Sequence, residues 1–277
     1  MKHLFRHLLR RAGYELLHCT DDPVLGELRT LHETLRLDSR NHLRLVDTLS
    51  QPAAHACFRA LLELHDIDLV IDVGANQGQF AQLIRRLGYR GEIVSFEPLP
   101  RYREQLSALA AADQHWRVMP IALGREAAEL ELHVYQDDSF SSLHAINQAG
   151  QARFSALVTP VGVVRVPVRR LDEMRKEIGL DPSRRVLLKT DTQGHDLAVL
   201  EGALDTLGHT QAVITEIAFE PIYADVPVFA ELAGWLRARG FVTAGLFPIS
   251  HHPQDLAVIE MDCAFTRPTP ASAQVRI

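Results

Sequence analysis

Leu69-Val70-Ile71-Asp72-Val73-Gly74-Ala75-Asn76-Gln77-Gly78, a helical stretch, and then Glu92-Ile93-Val94-Ser95-Phe96-Glu97-Pro98 are the residues that decide the fold. Leu69 to Val73 is an apolar, β-branched run long enough for one buried strand. Gly74 and Gly78 bracket a tight turn in which the backbone must approach something closely. From Gln79, the apolar residues Phe80, Leu83, Ile84 and Leu87 recur at helical spacing until Gly88. The next apolar run ends at the acid Glu97, so the order is strand, glycine turn, helix, strand.

In an open parallel sheet the ligand crevice lies beyond the carboxyl ends of the strands, which puts the Gly74–Gly78 turn and Glu97 on one crevice. A carboxylate there suits a ribose diol, since its two oxygens can accept from both hydroxyls. Nicotinamide dinucleotide and S-adenosylmethionine both carry such a ribose. The G-x-G-x-x-G fingerprint that opens a helix onto a pyrophosphate is absent. Asp72 stands two residues before Gly74, with Asn76 and Gln77 filling the turn; it would repel phosphates and suits a ligand with an ammonium and a sulfonium. The residues therefore favour S-adenosylmethionine, against a plainer reading in which Asp72 caps a turn and the glycines serve packing alone.

Four motifs extend the pattern: Asp72-Val73-Gly74-Ala75-Asn76-x-Gly78, Phe96-Glu97-Pro98, Ile121-Ala122-Leu123-Gly124 and Lys189-x-Asp191-x-x-Gly194-His195. Together, over roughly residues 69–250, they resemble the FkbM-type methyltransferases. The resemblance implies an α/β fold of the class I methyltransferase type, a Rossmann-like, mostly parallel sheet with its last strand antiparallel. It also implies S-adenosylmethionine as cofactor and O-methylation of a sugar in a glycolipid or polysaccharide, or of a secondary-metabolite hydroxyl. Asp72, Gly74, Asn76, Gly78, Glu97 and Ala122 are the expected cofactor residues. Ala122, after the third strand, leaves room for a flat adenine ring, a role that rests on the resemblance. Many relatives carry Glu-Gly after the Asp191 position where this chain has Gln193-Gly194, which puts an acid role there in doubt.

At 277 residues the chain can hold one large α/β domain with an appendage. Hydrophobic residues make up 47% and the net charge is −6, so a basic nucleic-acid surface is not indicated. The three cysteines, Cys19, Cys57 and Cys263, are far apart and form no C-x-x-C pair for zinc. With no run near the roughly 20 apolar residues of a membrane span and no signal-type N-terminus, a cytoplasmic protein is expected.

Residues 1–17 place Leu4, Phe5, Leu8, Leu9, Ala12 and Leu16 on one helical stripe and Lys2, Arg6, Arg10 and Arg11 mostly on another. Such a helix can lie on an anionic membrane face, suiting a peripheral enzyme of lipid-linked sugars, or pack on its own domain with a solvated basic side. Residues 1–65 are expected as a helical cap broken near Asp38-Ser39 and at Pro52, residues 66–265 as the methyltransferase domain and 266–277 as a flexible tail. Strands are expected near Trp116–Met119, Val186–Asp191, Val213–Glu216, from Phe241 and through Leu256–Ile259. An inserted antiparallel pair is expected from Glu129–Tyr135 and Gly162–Val168. Between that pair, the polar loop Asp137–His144 either meets the acceptor or is plain surface.

Methyl transfer to a hydroxyl is an in-line displacement that also releases a proton, so a base or a metal is required near the crevice. His195, Asp191 and Glu216 are the candidates: His195 as base, favoured in its neutral form at a helix start, with Asp191 and Glu216 orienting it or the acceptor. The alternative for His195 is a helix-start residue bonded to backbone. Asp191 and Glu216 could share a divalent ion, though two carboxylates are a thin ligand set, and no metal is favoured. His251-His252 reads as surface loop, since adjacent side chains seldom point the same way. A nicotinamide-dependent oxidoreductase and a non-catalytic cofactor- or glycan-binding partner remain the other classes. The sequence names neither the acceptor nor the oligomeric state.

Overall fold

The computed structural model describes residues 42–252 and 255–268. The basic stripe of residues 1–17, the break near Asp38-Ser39, Cys19 and residues 269–277 lie outside the described residues. Seven strands form the main sheet: β1 (Leu69–Val73), β2 (Glu92–Phe96), β3 (Trp116–Met119), β7 (Val186–Thr190), β8 (Thr210–Ala218), β9 (Val242–His251) and β10 (Val258–Thr266), in the order β3-β2-β1-β7-β8-β10-β9. β1 is parallel to β2 and β7, and β7 to β8, while β10 runs antiparallel to both β8 and β9. The mostly parallel sheet with an antiparallel last strand is the expected architecture. The chain builds outward from β1 to β3 and then returns to β7 on the other side of β1, which puts a topological switch point between β1 and β7.

Strand alternation sorts the core into two layers. Leu69, Ile71 and Val73 face a layer with Leu171, Met174 and Ile178, with α5 (Asp196–Glu201), α6 (Leu204–Leu207) and with α7 (Phe229–Arg237). Val70 faces the opposite layer, built from α1 (His42–Leu64), α2 (Gln79–Arg86) and Leu106 of α3 (Arg103–Ala111). Phe58 of α1 meets Phe80 and Phe247 edge-on, with centroids 6.1 and 6.0 Å away, which seats α1 over both α2 and β9.

Pro52 does not break its helix. It lies inside the continuous α1, where it removes one backbone donor while the apolar residues that follow it, Ala54, Phe58, Leu61 and Leu62, stay buried on one face. The last strand also runs further than expected, to Thr266. Glu260 and Asp262 obscure it in the sequence, because the acids share one face while Ile259, Met261, Cys263 and Phe265 are buried on the other. The helix expected after Gly194 is split at Gly202 into α5 and α6, and only glycine fits at 202, where a Cβ would lie 1.9 Å from the Gly124 carbonyl oxygen.

The inserted pair is present. β5 (Ala128–Tyr135) and β6 (Pro160–Arg169) are antiparallel, and the two-residue β4 (Ala122–Leu123) joins β6 to make a second, three-stranded sheet. A short helix, α4 (Gln148–Arg153), lies in the connection from β5 to β6.

Asp72 occupies the row that crosses β2, β1 and β7, opposite Ser95 on one side and Lys189 on the other. Its carboxylate is fully buried, accepts from Ser95 Oγ at 3.0 Å and pairs with Lys189 Nζ at 3.2 Å. Trp116 Nε1 donates to the same Ser95 Oγ at 3.0 Å, extending the row to β3. Removing one member of a buried ion pair typically costs about 3–5 kcal/mol, whereas replacing both by apolar groups can be neutral. Asp72→Ala should therefore lower the urea-unfolding free energy by about that amount, and adding Lys189→Met should recover most of the loss; a double variant whose loss is the sum of the two single losses would show that the pair is not coupled.

Candidate active site

Beyond the carboxyl ends of β1, β2, β7 and β8 lies a cavity of about 540 Å³. Its floor includes Gly74 and Asn76 after β1, Glu97 after β2, Asp191 after β7 and Glu216 on β8. Ala122, Leu123 and Leu132 of the second sheet close one side, and Ser50, Gln51, Ala54, His55 and Phe58 of α1 with Phe247–Ile249 of β9 close another. The segment read as a cap thus supplies a wall of the site through its described part.

The glycine turn is shaped by close approach. Gly74 has φ 79°, and a Cβ there would lie 1.9 Å from the Asp191 carbonyl oxygen, so the ends of β1 and β7 can touch only with glycine at this position. Gly78 has φ 84°, caps α2, and would press a Cβ against the Trp116 ring. Gly78 does not line the cavity; its part is to turn the chain.

Glu97 holds the turn from the other side. Its Oε2 accepts from the Asn76 backbone N–H at 2.7 Å and its Oε1 from the Leu99 N–H at 2.9 Å. Each carboxylate oxygen keeps further acceptor capacity toward the cavity. Burial pushes its pKa above the ordinary carboxylate value, against the two backbone donors and the Lys189 charge that pull it down.

Asp72 does not open on the cavity. Direct contact with a cationic ligand was the sequence expectation, but its carboxylate is spent on Ser95 and Lys189. Lys189 is the residue of the pair that reaches the wall, where it also donates to the Gly74 carbonyl at 3.1 Å and lies 3.6 Å from Asp191 Oδ2. Burial alone would lower the Lys189 ammonium, but the Asp72 and Asp191 carboxylates outweigh it and hold the ammonium above its ordinary value.

Asp191 and Glu216 lie side by side as expected, bridged by an amide. Gln193 Nε2 donates to Asp191 Oδ1 at 3.2 Å and to Glu216 Oε1 at 3.0 Å, while Gln193 Oε1 accepts from Tyr223 Oη at 2.8 Å. Asp262, directly across from Glu216 in the β8–β10 ladder, joins them on the wall. Burial, reinforced by Asp191, raises Asp262 to about 7 and raises Glu216 well above its ordinary value. No group of three or more His, Cys, Asp or Glu among the described residues is arranged to hold a metal ion.

His195 also lines the cavity, but its partner is not the expected one. Its Nδ1 lies 3.1 Å from His144 Nε2, and among the described residues no hydrogen bond or ion pair joins it to Asp191 or Glu216. Its Nε2 is buried without a hydrogen-bond partner. Burial, then the charges of His144 and Arg125, lowers its pKa to about 4. Gly124 makes room for the ring, since a Cβ there would stand 3.0 Å from Nε2. His251 and His252 lie at the end of β9, outside the cavity wall.

With the geometry in place, comparison with known proteins decides the family. The model of the FkbM methyltransferase domain matches residues 72–243. The chain belongs to the FkbM methyltransferase family. It is therefore an S-adenosylmethionine-dependent methyltransferase, and the oxidoreductase reading is set aside. The chain is 24% identical over 208 residues to a 2-O-methyltransferase, NoeI, of Sinorhizobium fredii, across 70% of this chain and 83% of that protein. It is 29% identical over 154 residues to Methyltransferase 1 of Beauveria bassiana, across 50% of this chain and 60% of that one. Among solved structures, an rRNA methylase from Streptococcus thermophilus aligns over 78% of this chain and 96% of its own with TM-score 0.43 and 10% identity.

Of the residues at this site, Glu97 could offer acceptors to the ribose diol of the cofactor, and the small Ala122 in the wall could leave room for its adenine. A carboxylate hydrogen bond is worth roughly 1.5–3 kcal/mol. Glu97→Ala should then weaken S-adenosylhomocysteine binding, read by calorimetry, by about tenfold to several hundredfold. Its melting temperature should also fall, because the Asn76 and Leu99 amides lose their acceptor; unchanged affinity in the folded variant would remove Glu97 from the site.

Proposed function

We propose that the enzyme transfers a methyl group to a hydroxyl of a sugar, carried on a glycolipid, a polysaccharide or a glycosylated metabolite, with His195 as the general base. The observation that carries this reading is His195, whose depressed pKa keeps its imidazole neutral, in the cavity wall that it shares with Asp191 and Glu216. A hydroxyl must lose its proton when its oxygen takes the methyl, and a neutral imidazole nitrogen can receive it. The name of the similar 2-O-methyltransferase supports oxygen as the acceptor atom. S-adenosylmethionine supplies an activated methyl on a sulfonium, whose departing sulfur takes the bonding electron pair.

The polar residues of the wall suit a polyhydroxyl acceptor. Asp191, Glu216 and the Gln193 amide offer acceptors and a donor side by side, and Asp262, with its pKa raised to about 7, can do either at neutral pH. Ser139, Ser141 and Ser142 from the loop after β5 add hydroxyls on the same wall. Burial makes His195 a weak base, yet one that stays unprotonated through the physiological range. Peripheral attachment to the inner membrane face through residues 1–17 would bring such a site to lipid-linked sugars; among the described residues no helix is long and apolar enough to cross a membrane.

The test is incubation with isotopically labelled S-adenosylmethionine and glycolipid or polysaccharide extracts, followed by a search for a mass gain of one methyl on oxygen. His195→Ala should slow turnover by roughly 10²–10⁴ while leaving S-adenosylhomocysteine affinity nearly unchanged. Because the folded-state pKa of His195 is depressed, the neutral base is present above it and lost as pH falls; the acid limb should lie near about 4 and not near the ordinary 6.5. Normal turnover in His195→Ala would end the base assignment, and methyl gain on nitrogen or carbon would end the hydroxyl reading.

A further inference from the structure

The acids of the cavity wall differ in what answers their charge. Glu97 accepts from two backbone amides. Asp191 has the Lys189 ammonium at 3.6 Å and the Gln193 amide, and Glu216 shares that amide. Asp262 has none of these. Among the described residues no hydrogen bond or ion pair answers its carboxylate, only the charges of Asp191, Lys189 and Glu260 acting at a distance. Asp262 lines the cavity, and neither of its oxygens is sealed inside the protein.

Its place in the sheet makes this costly. Asp262 stands directly across the β8–β10 ladder from Glu216, and like charges in that relation destabilise a sheet. Lys189 is the cation whose charge reaches it, yet the three donors of that ammonium already serve Asp72 Oδ1 at 3.2 Å, the Gly74 carbonyl at 3.1 Å and Asp191 Oδ2. Burial, then Asp191, accordingly pushes Asp262 up to about 7. Hydroxyl groups alone do not call for an acid here. An amide offers them a donor and an acceptor without repulsion, as Gln193 does for its own neighbours. What a carboxylate adds is charge, and a cation is what answers it.

We infer that Asp262, opposite Glu216, is the subsite for an ammonium group on the acceptor, so that the sugar methylated is an amino sugar. The inference rests on the sugar-acceptor reading. The cofactor carries an ammonium too, but the position of Asp262 favours the acceptor. Glu97, the residue for the ribose, holds Asn76 at the end of β1, and β10 lies three strand spacings away, about 14 Å along the sheet. A single carbon separates the sulfonium from the ribose ring, so the methyl is offered between Glu97 and Asp262, with the acceptor beyond it.

The probes are glucosamine, N-acetylglucosamine and glucose, titrated at neutral pH and low salt onto the full chain loaded with S-adenosylhomocysteine and followed by saturation-transfer NMR. Glucosamine should bind about tenfold to a hundredfold more tightly than the two neutral sugars. Asp262→Asn should erase that preference while its S-adenosylhomocysteine affinity, read by calorimetry, stays as in the native protein. Equal affinities for the three sugars, or binding of none, overturns the inference on the native protein alone. A folded Asp262→Asn that still prefers glucosamine does the same, and one with weakened S-adenosylhomocysteine affinity gives the subsite to the cofactor and overturns the acceptor assignment. The labelled-methyl assay judges the sugar reading separately: a glucosamine preference with no methyl gained by any sugar would keep the ammonium subsite and discard that reading.

Discussion

A carboxylate and an ammonium hidden between β1 and β7 hold the site together. Asp72 and Lys189 face each other across the switch point of the sheet, with Ser95 and Trp116 completing a polar row through β2 to β3. Two charges this deep are tolerable only because each meets the other with further hydrogen bonds. The consequence is local rigidity where the chain would otherwise be free to fray. Lys189 also fastens the Gly74 carbonyl, so the turn after β1 and the end of β7 share one anchor.

From that anchor the site divides into two halves with different electrostatics. Toward β2 the polar groups are committed to shape: Glu97 ties Asn76 and Leu99, and Gly74 and Gly78 allow contacts that a side chain would forbid. Toward β8 and β10 the acids Asp191, Glu216 and Asp262 share a wall with a single bridging amide, Gln193, itself fixed by Tyr223. Glutamine is informative at that position. A carboxylate there would add another acid to groups whose pKa values burial and mutual repulsion already raise, whereas the amide donates to both neighbours at once.

The second sheet and α1 convert an open crevice into a cavity. β4, paired to β6, places Ala122 and Leu123 in the cavity wall, while the loop after β5 delivers Ser142 and His144 to the turn after β7. α1 is seated by the aromatic contacts of Phe58 with Phe80 and Phe247 and closes one side of the cavity. The burial of His195 is a product of this enclosure, and so is the depressed pKa that keeps its imidazole neutral.

The sequence by itself determined the strand, turn, helix and strand at 69–98, the inserted antiparallel pair, and Gly74, Asn76, Glu97, Ala122, Asp191, Glu216 and His195 as residues that share a cavity. These were legible because strand alternation, helical spacing and glycine turns are local properties of the chain. Tertiary structure decided what each side chain does there. Asp72 reads as a ligand for a cationic cofactor until Lys189, distant in the chain, is found across the strand from it. Asp262 is masked because an acid in a strand breaks the apolar pattern, and only pairing with β8 sets it beside Glu216. His195 meets His144 and not the acids two strands supply, since the loop carrying His144 and the turn carrying His195 meet only when two sheets close on each other. Periodicity reports which face a residue takes; it carries no record of which distant residue will face it, because that depends on strand order and on how the sheets pack.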